Sequence, residues 1–207
     1  MRFVKSPPMP TARSPKLVVI AGPNGSGKST SAPALLRGRL GVTEFVNADT
    51  IAQGLSAFSP ENAAIQAGRV MLARLRQLAA ARANFAFETT LASRSFAPWI
   101  EGLNAQGYRF HLVFLWLPSA DVAVARVLER VRLGGHDVPE EAIRRRYARG
   151  LKNFFELYRP LATSWRLYDN SGRSKPRLVA DRLSARKLRV VDSSAWTRIA
   201  GAHDVSR

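Results

Sequence analysis

The chain has 207 residues, of which 46% are hydrophobic and 23% are charged, and this composition is typical of a globular protein rather than a disordered one. Its 32 Lys and Arg residues outnumber its 15 Asp and Glu residues, and the net charge of +17 attracts nucleotides, sugar phosphates, nucleic acid and anionic membranes alike. Because cysteine is absent, disulfide bonds and thiolate metal sites are excluded, and a reducing, cytoplasmic location is expected.

The first residues are rich in proline, so we predict a flexible lead over residues 1–15. It contains no apolar segment of signal-peptide length, and no later run is long enough to cross a membrane, so no membrane association is expected. The apolar run at residues 17–21 does not alternate with polar residues. This pattern predicts a central parallel strand that is covered on both faces.

A glycine-rich loop follows this strand and precedes a segment that can form a helix from about residue 29. The spacing of its glycines before Lys28 and Ser29 is that of a P-loop, in which backbone N–H groups surround the phosphates of a nucleotide. Lys28 is predicted to contact the β- and γ-phosphates of ATP, and the Ser29 hydroxyl to ligate Mg²⁺. The predicted ATP-binding residues are Gly22, Pro23, Asn24, Gly25, Ser26, Gly27, Lys28, Ser29 and Thr30.

Strands and helices alternate along the rest of the chain. Strands are predicted at residues 44–47, 84–87, 110–117, 165–169 and 187–191, with amphipathic helices between most of them. On the helix that begins at Ser119, the arginines Arg126 and Arg130 are predicted to face away from the core. The alternation predicts a three-layer α/β/α fold with a mostly parallel central sheet, whose ligands bind at the carboxyl ends of the strands.

Two carboxylates follow predicted strands at this edge. Asp49 is a candidate general base for phosphoryl transfer, and the alternative is that it caps the helix at residues 50–55. Glu88 is a candidate ligand of substrate hydroxyls or of the metal's water shell, and the alternative is that it accepts N–H groups of its own loop. The predicted substrate-binding residues are Glu88, Thr89, Thr90 and Arg94.

Arginines flank the Gly134-Gly135 turn, with Arg132 before it and residues 144–146 after it. Glycines can supply a hinge and guanidinium groups can supply charge to phosphates, so a mobile lid is predicted around residues 132–150. The alternative is a solvated cationic helix face.

Several segments together resemble the zeta-toxin family of P-loop kinases. The segments are residues 22–30, 47–49, 87–90, 115–118, 126–136, 143–147 and 165–171. The resemblance covers about residues 16–170 and implies an ATP-dependent kinase with a nucleoside-kinase-like core, a small acceptor such as UDP-N-acetylglucosamine, and an antitoxin as a possible partner. By position, Lys28, Ser29 and Asp49 match the phosphate ligand, the Mg²⁺ ligand and the general base. Arg132 and Arg145 best match the two arginines that neutralise the transferring phosphate, with the register among residues 144–146 left open.

We therefore expect a kinase core at residues 16–171 that transfers the γ-phosphate of ATP to a hydroxyl of a small anionic acceptor, with a basic appendage of the same domain at residues 172–207. The alternative is a nucleic-acid-associated P-loop ATPase or a polynucleotide kinase, which the net charge of +17 and the basic tail favour. Nonspecific nucleic-acid binding is compatible with either interpretation.

Overall fold

The computed structural model describes residues 14–56, 60–135, 137–172, 175–184 and 186–201. The predicted flexible lead therefore lies outside the described residues, apart from its last two positions. The strands within the described ranges are β1 Lys16–Ala21, β2 Glu44–Val46, β3 Phe85–Thr89, β4 Arg109–Trp116, β5 Ser164–Asp169, β6 Arg177–Arg182 and β7 Arg189–Val190.

Helices connect most of these strands. They are α1 Lys28–Leu35, α2 Ala48–Leu55, α3 Ala64–Ala80, α4 Phe96–Ala105, α5 Ala120–Arg132, α6 Glu140–Asn153, α7 Arg159–Leu161 and α8 Ser193–Ala200. A π-helical turn, Leu36–Leu40, extends α1, and a second one, Phe154–Tyr158, extends α6. No helix of the described residues is both long enough and apolar enough to cross a membrane.

The strands form one sheet in the order β2-β3-β1-β4-β5-β6-β7. The first five strands of this order are parallel, whereas β6 and β7 are antiparallel to their neighbours. The predicted α/β/α fold with a mostly parallel sheet is confirmed. Because β1 lies between β3 and β4, the loops that follow β1 and β3 emerge side by side at the carboxyl edge.

Alternate side chains of β1 supply the two faces of the core. Leu17 and Val19 join a large cluster with α3, α4 and α8, which contains the buried rings Phe85 and Phe87. Val18 and Ile20 point to the other face and pack against α1 and its π-helical extension. This division explains why the sequence of β1 lacks alternation, since both faces of the strand are covered.

The end of the chain differs from the prediction. The strand predicted at residues 187–191 is only the two-residue strand β7, and it pairs with β6, which was not predicted. β6 contains the charged residues Arg177, Asp181 and Arg182, so its sequence does not have the apolar signature of an inner strand. Residues 177–200 thus extend the same sheet and cover part of it with α8.

Candidate active site

The P-loop has the backbone that its glycines predict. Gly22, Gly25 and Gly27 have positive φ angles of 144°, 73° and 78°, which side-chain-bearing residues rarely adopt. At Gly22 a Cβ atom would also clash with the carbonyl oxygen of Leu115 on β4. The loop therefore curls against the end of β4 before α1 begins at Lys28.

Lys28 lies inside this loop with only 9% of its surface exposed. Its Nζ donates to the carbonyl oxygens of Gly22 and Pro23, at 3.0 Å each. Burial lowers the pKa of Lys28, while the negative charges of Glu88 and Asp49 oppose this effect. The ammonium group is thus held by the loop, close to two carboxylates from other elements.

Ser29 connects the P-loop to the next two strands. Its hydroxyl donates to Glu88 Oε2 at 2.9 Å and accepts a longer hydrogen bond, at 3.4 Å, from Asn47 Nδ2. Burial raises the pKa of Glu88, although Lys28 and the Ser29 hydrogen bond oppose the shift. A hydroxyl and a carboxylate are hard oxygen donors, so this pair fits Mg²⁺, which usually keeps several waters and takes one or two protein ligands.

Asp49 lies in the first turn of α2, where it is exposed. Asn47, and not Asp49, caps this helix, because its Oδ1 accepts from the backbone N–H groups of Asp49 and Thr50 at 2.7 and 3.2 Å. The capping alternative for Asp49 is therefore wrong. Its carboxylate is left to face the site, where its charge acts on both Lys28 and Glu88.

Two arginines act on the P-loop lysine, one that was not predicted as a site residue and one from the run whose register the sequence left open. The positive charges that act on Lys28 are those of Arg130 and Arg146. Arg130 also lines a cleft of about 390 Å³ with residues of the P-loop and of α5.

The predicted arginines point elsewhere. Arg132 is exposed at the end of α5 and is absent from the lining of this cleft. Arg145 is exposed and lies 3.5 Å from Glu141 one turn away. Arg144 pairs with Asp121 and Glu140 at 2.7 and 2.8 Å, which leaves Arg146 as the arginine of this run that faces Lys28.

Arg126 was predicted to face away from the core, but it supports the site. Its guanidinium donates to the carbonyl oxygens of Asn170 and Ser171 at 2.8 Å each. Asn170 in turn donates from Nδ2 to the carbonyl oxygen of Ser26 in the P-loop, also at 2.8 Å. The loop after β5 is therefore fixed between α5 and the P-loop.

The predicted acceptor residues lie at the end of β3 and on the strained loop that follows it. The Thr89 and Thr90 hydroxyls accept from the backbone N–H groups of Leu91 and Ala92, and Arg94 is exposed. Leu91 is buried with a positive φ of 57°, a conformation that costs a residue with a branched side chain about 1–3 kcal/mol.

Three residues near the end of α6 hold this loop. Asn153 Nδ2 donates to the carbonyl oxygen of Leu91 at 2.7 Å, and Tyr158 donates to that of Ser93 at 2.6 Å. Gly150 packs so closely that a Cβ atom there would clash with the carbonyl oxygen of Thr90. Burial raises the pKa of Tyr158 to about 12, so the phenol remains a donor.

Comparison with known proteins agrees with this geometry. Residues 17–155, more than half of the chain, match the family described as AAA domain. The chain belongs to this AAA domain family. An uncharacterized protein of Haemophilus influenzae is 29% identical to this AAA domain over 134 residues, which cover 64% of the chain and 92% of that protein.

Two solved structures share the fold of this AAA domain. AvrRxo1-ORF1:-ORF2 with ATP superposes with a TM-score of 0.71 at 16% identity, over 91% of the chain. The chain spans 64% of the length of that protein. The PezAT toxin–antitoxin system of Streptococcus pneumoniae gives a TM-score of 0.65 at 16% identity, over 92% of this chain and 80% of that chain.

Sequence reasoning missed Arg130 as a site residue of this AAA domain and left open which of residues 144–146 faces the phosphates. A cationic helix face usually points to solvent, and this rule removed Arg130 from consideration. The missing signal was the P-loop itself: Gly25 packs against Ala123, Arg126 and Val127, so the loop covers that face of α5. Arg130 lies one turn beyond Arg126 on the same face.

Proposed function

We propose that this AAA domain is an ATP-dependent kinase that transfers the γ-phosphate of ATP to a hydroxyl of a small acceptor. The observation that carries the proposal is the convergence of Lys28, Asp49, Glu88, Arg130 and Arg146 at one edge of the sheet. A nucleotide switch needs the phosphate loop but no base at an acceptor, whereas phosphoryl transfer needs both, together with cations on the developing charge.

Each residue has a distinct part in the proposed reaction. The P-loop N–H groups and the Lys28 ammonium hold the phosphates of ATP, and the ammonium exchanges the carbonyl oxygens of Gly22 and Pro23 for phosphate oxygens. Asp49 accepts the proton of the attacking hydroxyl. Arg130 and Arg146 neutralise charge that develops on the transferring group.

The same edge of the sheet supplies the ligands for Mg²⁺. Ser29 would hold the ion directly, and Glu88, whose carboxylate is hydrogen-bonded to Ser29, would hold it through water. Bound there, Mg²⁺ neutralises phosphate charge. Asn47 orients Ser29 and at the same time fixes the start of α2, so it links the metal ligand to Asp49.

We propose a sugar nucleotide such as UDP-N-acetylglucosamine as the acceptor, because the chain resembles zeta toxins and shares a fold with PezAT. Thr89, Thr90 and Arg94 would bind it beside Glu88. The AvrRxo1-ORF1 and PezAT structures also contain or name a second protein. An antitoxin-like partner of this chain is accordingly a proposal, and a net charge of +17 favours an acidic one.

The test is transfer of labelled phosphate from ATP, with Mg²⁺, to a panel of sugar nucleotides, nucleosides, small alcohols and RNA ends. We expect label on a sugar nucleotide with the wild-type protein and none with Lys28→Ala, because the phosphates lose their buried cation. Label on RNA ends alone would support the polynucleotide kinase alternative, which the net charge favours. Hydrolysis of ATP without transfer to any hydroxyl would contradict the kinase proposal.

A further inference from the structure

A group of cations lies on one face of the sheet, from the edge at which the parallel strands begin to the middle of β5. Lys16 and Arg109 begin β1 and β4 and are direct neighbours in the pairing, so their side chains share one face of the sheet. Arg166 on β5 shares this face, because its partner Val113 is four residues beyond Arg109 on β4. These cations therefore come from three neighbouring strands.

The carboxyl-terminal hairpin adds cations to the same region. β6 runs antiparallel to β5, so the turn between β6 and β7 returns to the edge at which the parallel strands begin. Arg186 and Lys187 in this turn are exposed. We name the whole set the basic face, and it comprises Lys16, Arg109, Arg166, Arg186, Lys187 and Arg189.

Little negative charge balances the basic face. Asp181 is opposite Arg166 on β6, but both of its oxygens accept from Arg189, at 2.9 and 2.6 Å. Arg109 and Arg166 have neither an ion pair nor a hydrogen bond from their side chains within the described part of the chain. Two guanidinium groups of this face are thus available to an external anion.

The pKa of His111 reflects the positive charge on this face. Its ring lies between the cations, with Nδ1 2.7 Å from the Ser164 hydroxyl. Burial, followed by the charges of Arg109, Lys16 and Arg166, lowers the pKa of His111 to about 4. The ring is therefore neutral near pH 7, and its charged neighbours are cations.

We propose that the basic face binds the phosphate backbone of nucleic acid without sequence preference. Arg109 and Arg166 lie on adjacent strands and four positions apart, so roughly 14 Å separates their backbones. This is the length of about four nucleotides along one strand of a duplex. A polyanion can therefore contact several of these cations together. Exposed apolar side chains lie beside these cations at Leu188, Val190 and Val191. They are on a turn and a two-residue strand rather than on an amphipathic helix, so nucleic acid fits the basic face better than a membrane does.

The basic face does not depend on the proposed function, and most of it lies away from the kinase site. Lys16 is at the start of β1, whose six residues span roughly 17 Å before the P-loop. Arg166 is level with Ile20 of β1 but two strands away from it, roughly 10 Å across the sheet, so nucleic acid on the basic face need not cover the P-loop. We therefore expect ATP and nucleic acid to bind at the same time.

The experiment measures binding of a fluorescent duplex and of a single strand by anisotropy over a series of salt concentrations. The double variant Arg109→Gln, Arg166→Gln removes two contacts without placing a new carboxylate beside Asp181. The matched control, Arg69→Gln with Arg76→Gln, removes the same charge from exposed positions of α3, which packs on the other face of the sheet. Melting temperature and binding of an ATP analogue verify that all variants are folded.

We expect the basic-face variant to bind the duplex about tenfold more weakly at low salt, with a slope of log K against log salt that is smaller by about 1.8. The control variant should keep the wild-type slope, and Arg109→Lys with Arg166→Lys should restore it, because phosphate contact needs charge rather than a bidentate fork. Equal losses in the two Gln variants would overturn the proposal, since net charge alone would then explain binding. Competition by ATP, or loss of binding to anionic vesicles but not to nucleic acid, would also overturn it.

Discussion

Asp49 and Asn47 are two residues apart and have separate tasks at the start of α2. Asn47 satisfies the N–H groups of the first turn, so the fold does not need the Asp49 carboxylate. We expect Asp49→Asn to keep the melting temperature and ATP affinity of the wild type while turnover falls by about 10²–10⁴, the usual contribution of a positioned base.

Asn47→Ala is the matched control for this prediction. It removes the cap and should cost about 1 kcal/mol in the free energy of unfolding, measured by denaturant titration. If Asp49→Asn lost stability in proportion to its activity, the role of Asp49 would be structural and the general base would have to be another group.

Arg130 and Arg146 are expected to matter mainly when charge shifts during transfer, since Lys28 and the P-loop already hold the ground-state phosphates. Replacing either arginine with Ala should lower kcat by about 10²–10³ while the KM for ATP changes little. Lysine should rescue only part of the loss, because it lacks the bidentate fork.

Two neighbouring arginines provide controls on the same helices. Arg132→Ala and Arg145→Ala remove the same charge from exposed positions of α5 and α6, and kcat should stay near the wild-type value. If kcat fell more in these two variants than in Arg130→Ala and Arg146→Ala, Arg132 and Arg145 would be the arginines that neutralise the transferring phosphate, as the family resemblance implied.

The sequence predicted the kinds of residue at the site better than their exact identity. Lys28, Ser29, Asp49 and Glu88 follow strand ends, and parallel strands bring such positions to one edge whatever the details of packing. Helix phase alone does not reveal what covers a polar face. Arg130 could be found only once the P-loop was seen to pack on α5, and the register among residues 144–146 could be resolved only from the structure.

At the scale of elements, α6 is attached along much of its length. Ile143 is buried against α5, and Tyr147 donates to the carbonyl oxygen of Leu117 at 2.8 Å. Gly150 and Asn153 hold the loop after β3. A rigid swing of α6 would break all of these contacts. We therefore propose that Arg146 is already in place before ATP binds.

Gly150→Ala tests this attachment. The added methyl group meets the carbonyl oxygen of Thr90, so α6 or the loop must shift, at a cost of about 1–3 kcal/mol in the free energy of unfolding. Because Arg146 is one turn away, kcat should fall while the KM for ATP changes little, as measured by steady-state kinetics.

Gly102→Ala is the matched control, because a Cβ atom on this helical glycine of α4 meets nothing within 4 Å. It should stabilise the protein by about 0.4–1 kcal/mol and leave kcat unchanged. If Gly150→Ala behaved in the same way, α6 would be free to move and the mobile lid would regain support.

Elements with continuous apolar runs were predictable within one or two residues, whereas β6 and α8 were not. β6 ends in Asp181 and Arg182, and Arg189 from the next strand pairs with the buried Asp181 carboxylate. This ion pair forms only in the tertiary structure, so no local sequence pattern predicts it.

In the whole molecule, the proposed chemistry coincides with a place where charges of both signs meet. The carboxyl edge of the sheet holds Lys28 with Asp49 and Glu88, while one face of the sheet carries cations around His111. The net charge of +17 is therefore not spread evenly over the surface. Because His111 titrates among these cations, the uneven charge should make the stability of the fold depend on pH.

His111 should make the protein less stable in mild acid. Its pKa is about 4 in the folded chain and 6.5 ordinarily, so an unfolded chain takes up a proton between these values that the folded chain does not. The contribution of His111 to the free energy of unfolding should therefore be fully present above pH 6.5 and be lost as the pH drops toward 4. Uptake of one whole proton changes the free energy of unfolding by at most about 1.4 kcal/mol per pH unit. Solvent screening of the partly exposed ring reduces this slope.

The variant His111→Gln isolates this contribution, because a neutral amide can still hydrogen bond to Ser164 but does not titrate. Denaturant titrations of both proteins at several pH values between 4 and 7.5 should give a steeper acid decline for the wild type. The contributions of other titrating groups are the same in both proteins and cancel in the comparison. One of these groups is Glu88, whose raised pKa stabilises the folded chain as the pH falls, in the direction opposite to His111. Added salt should narrow the difference, because it screens Arg109, Lys16 and Arg166. Parallel curves for the two proteins would mean that His111 is protonated as easily in the folded chain as in the unfolded one, and that the cations around it do not form a common field.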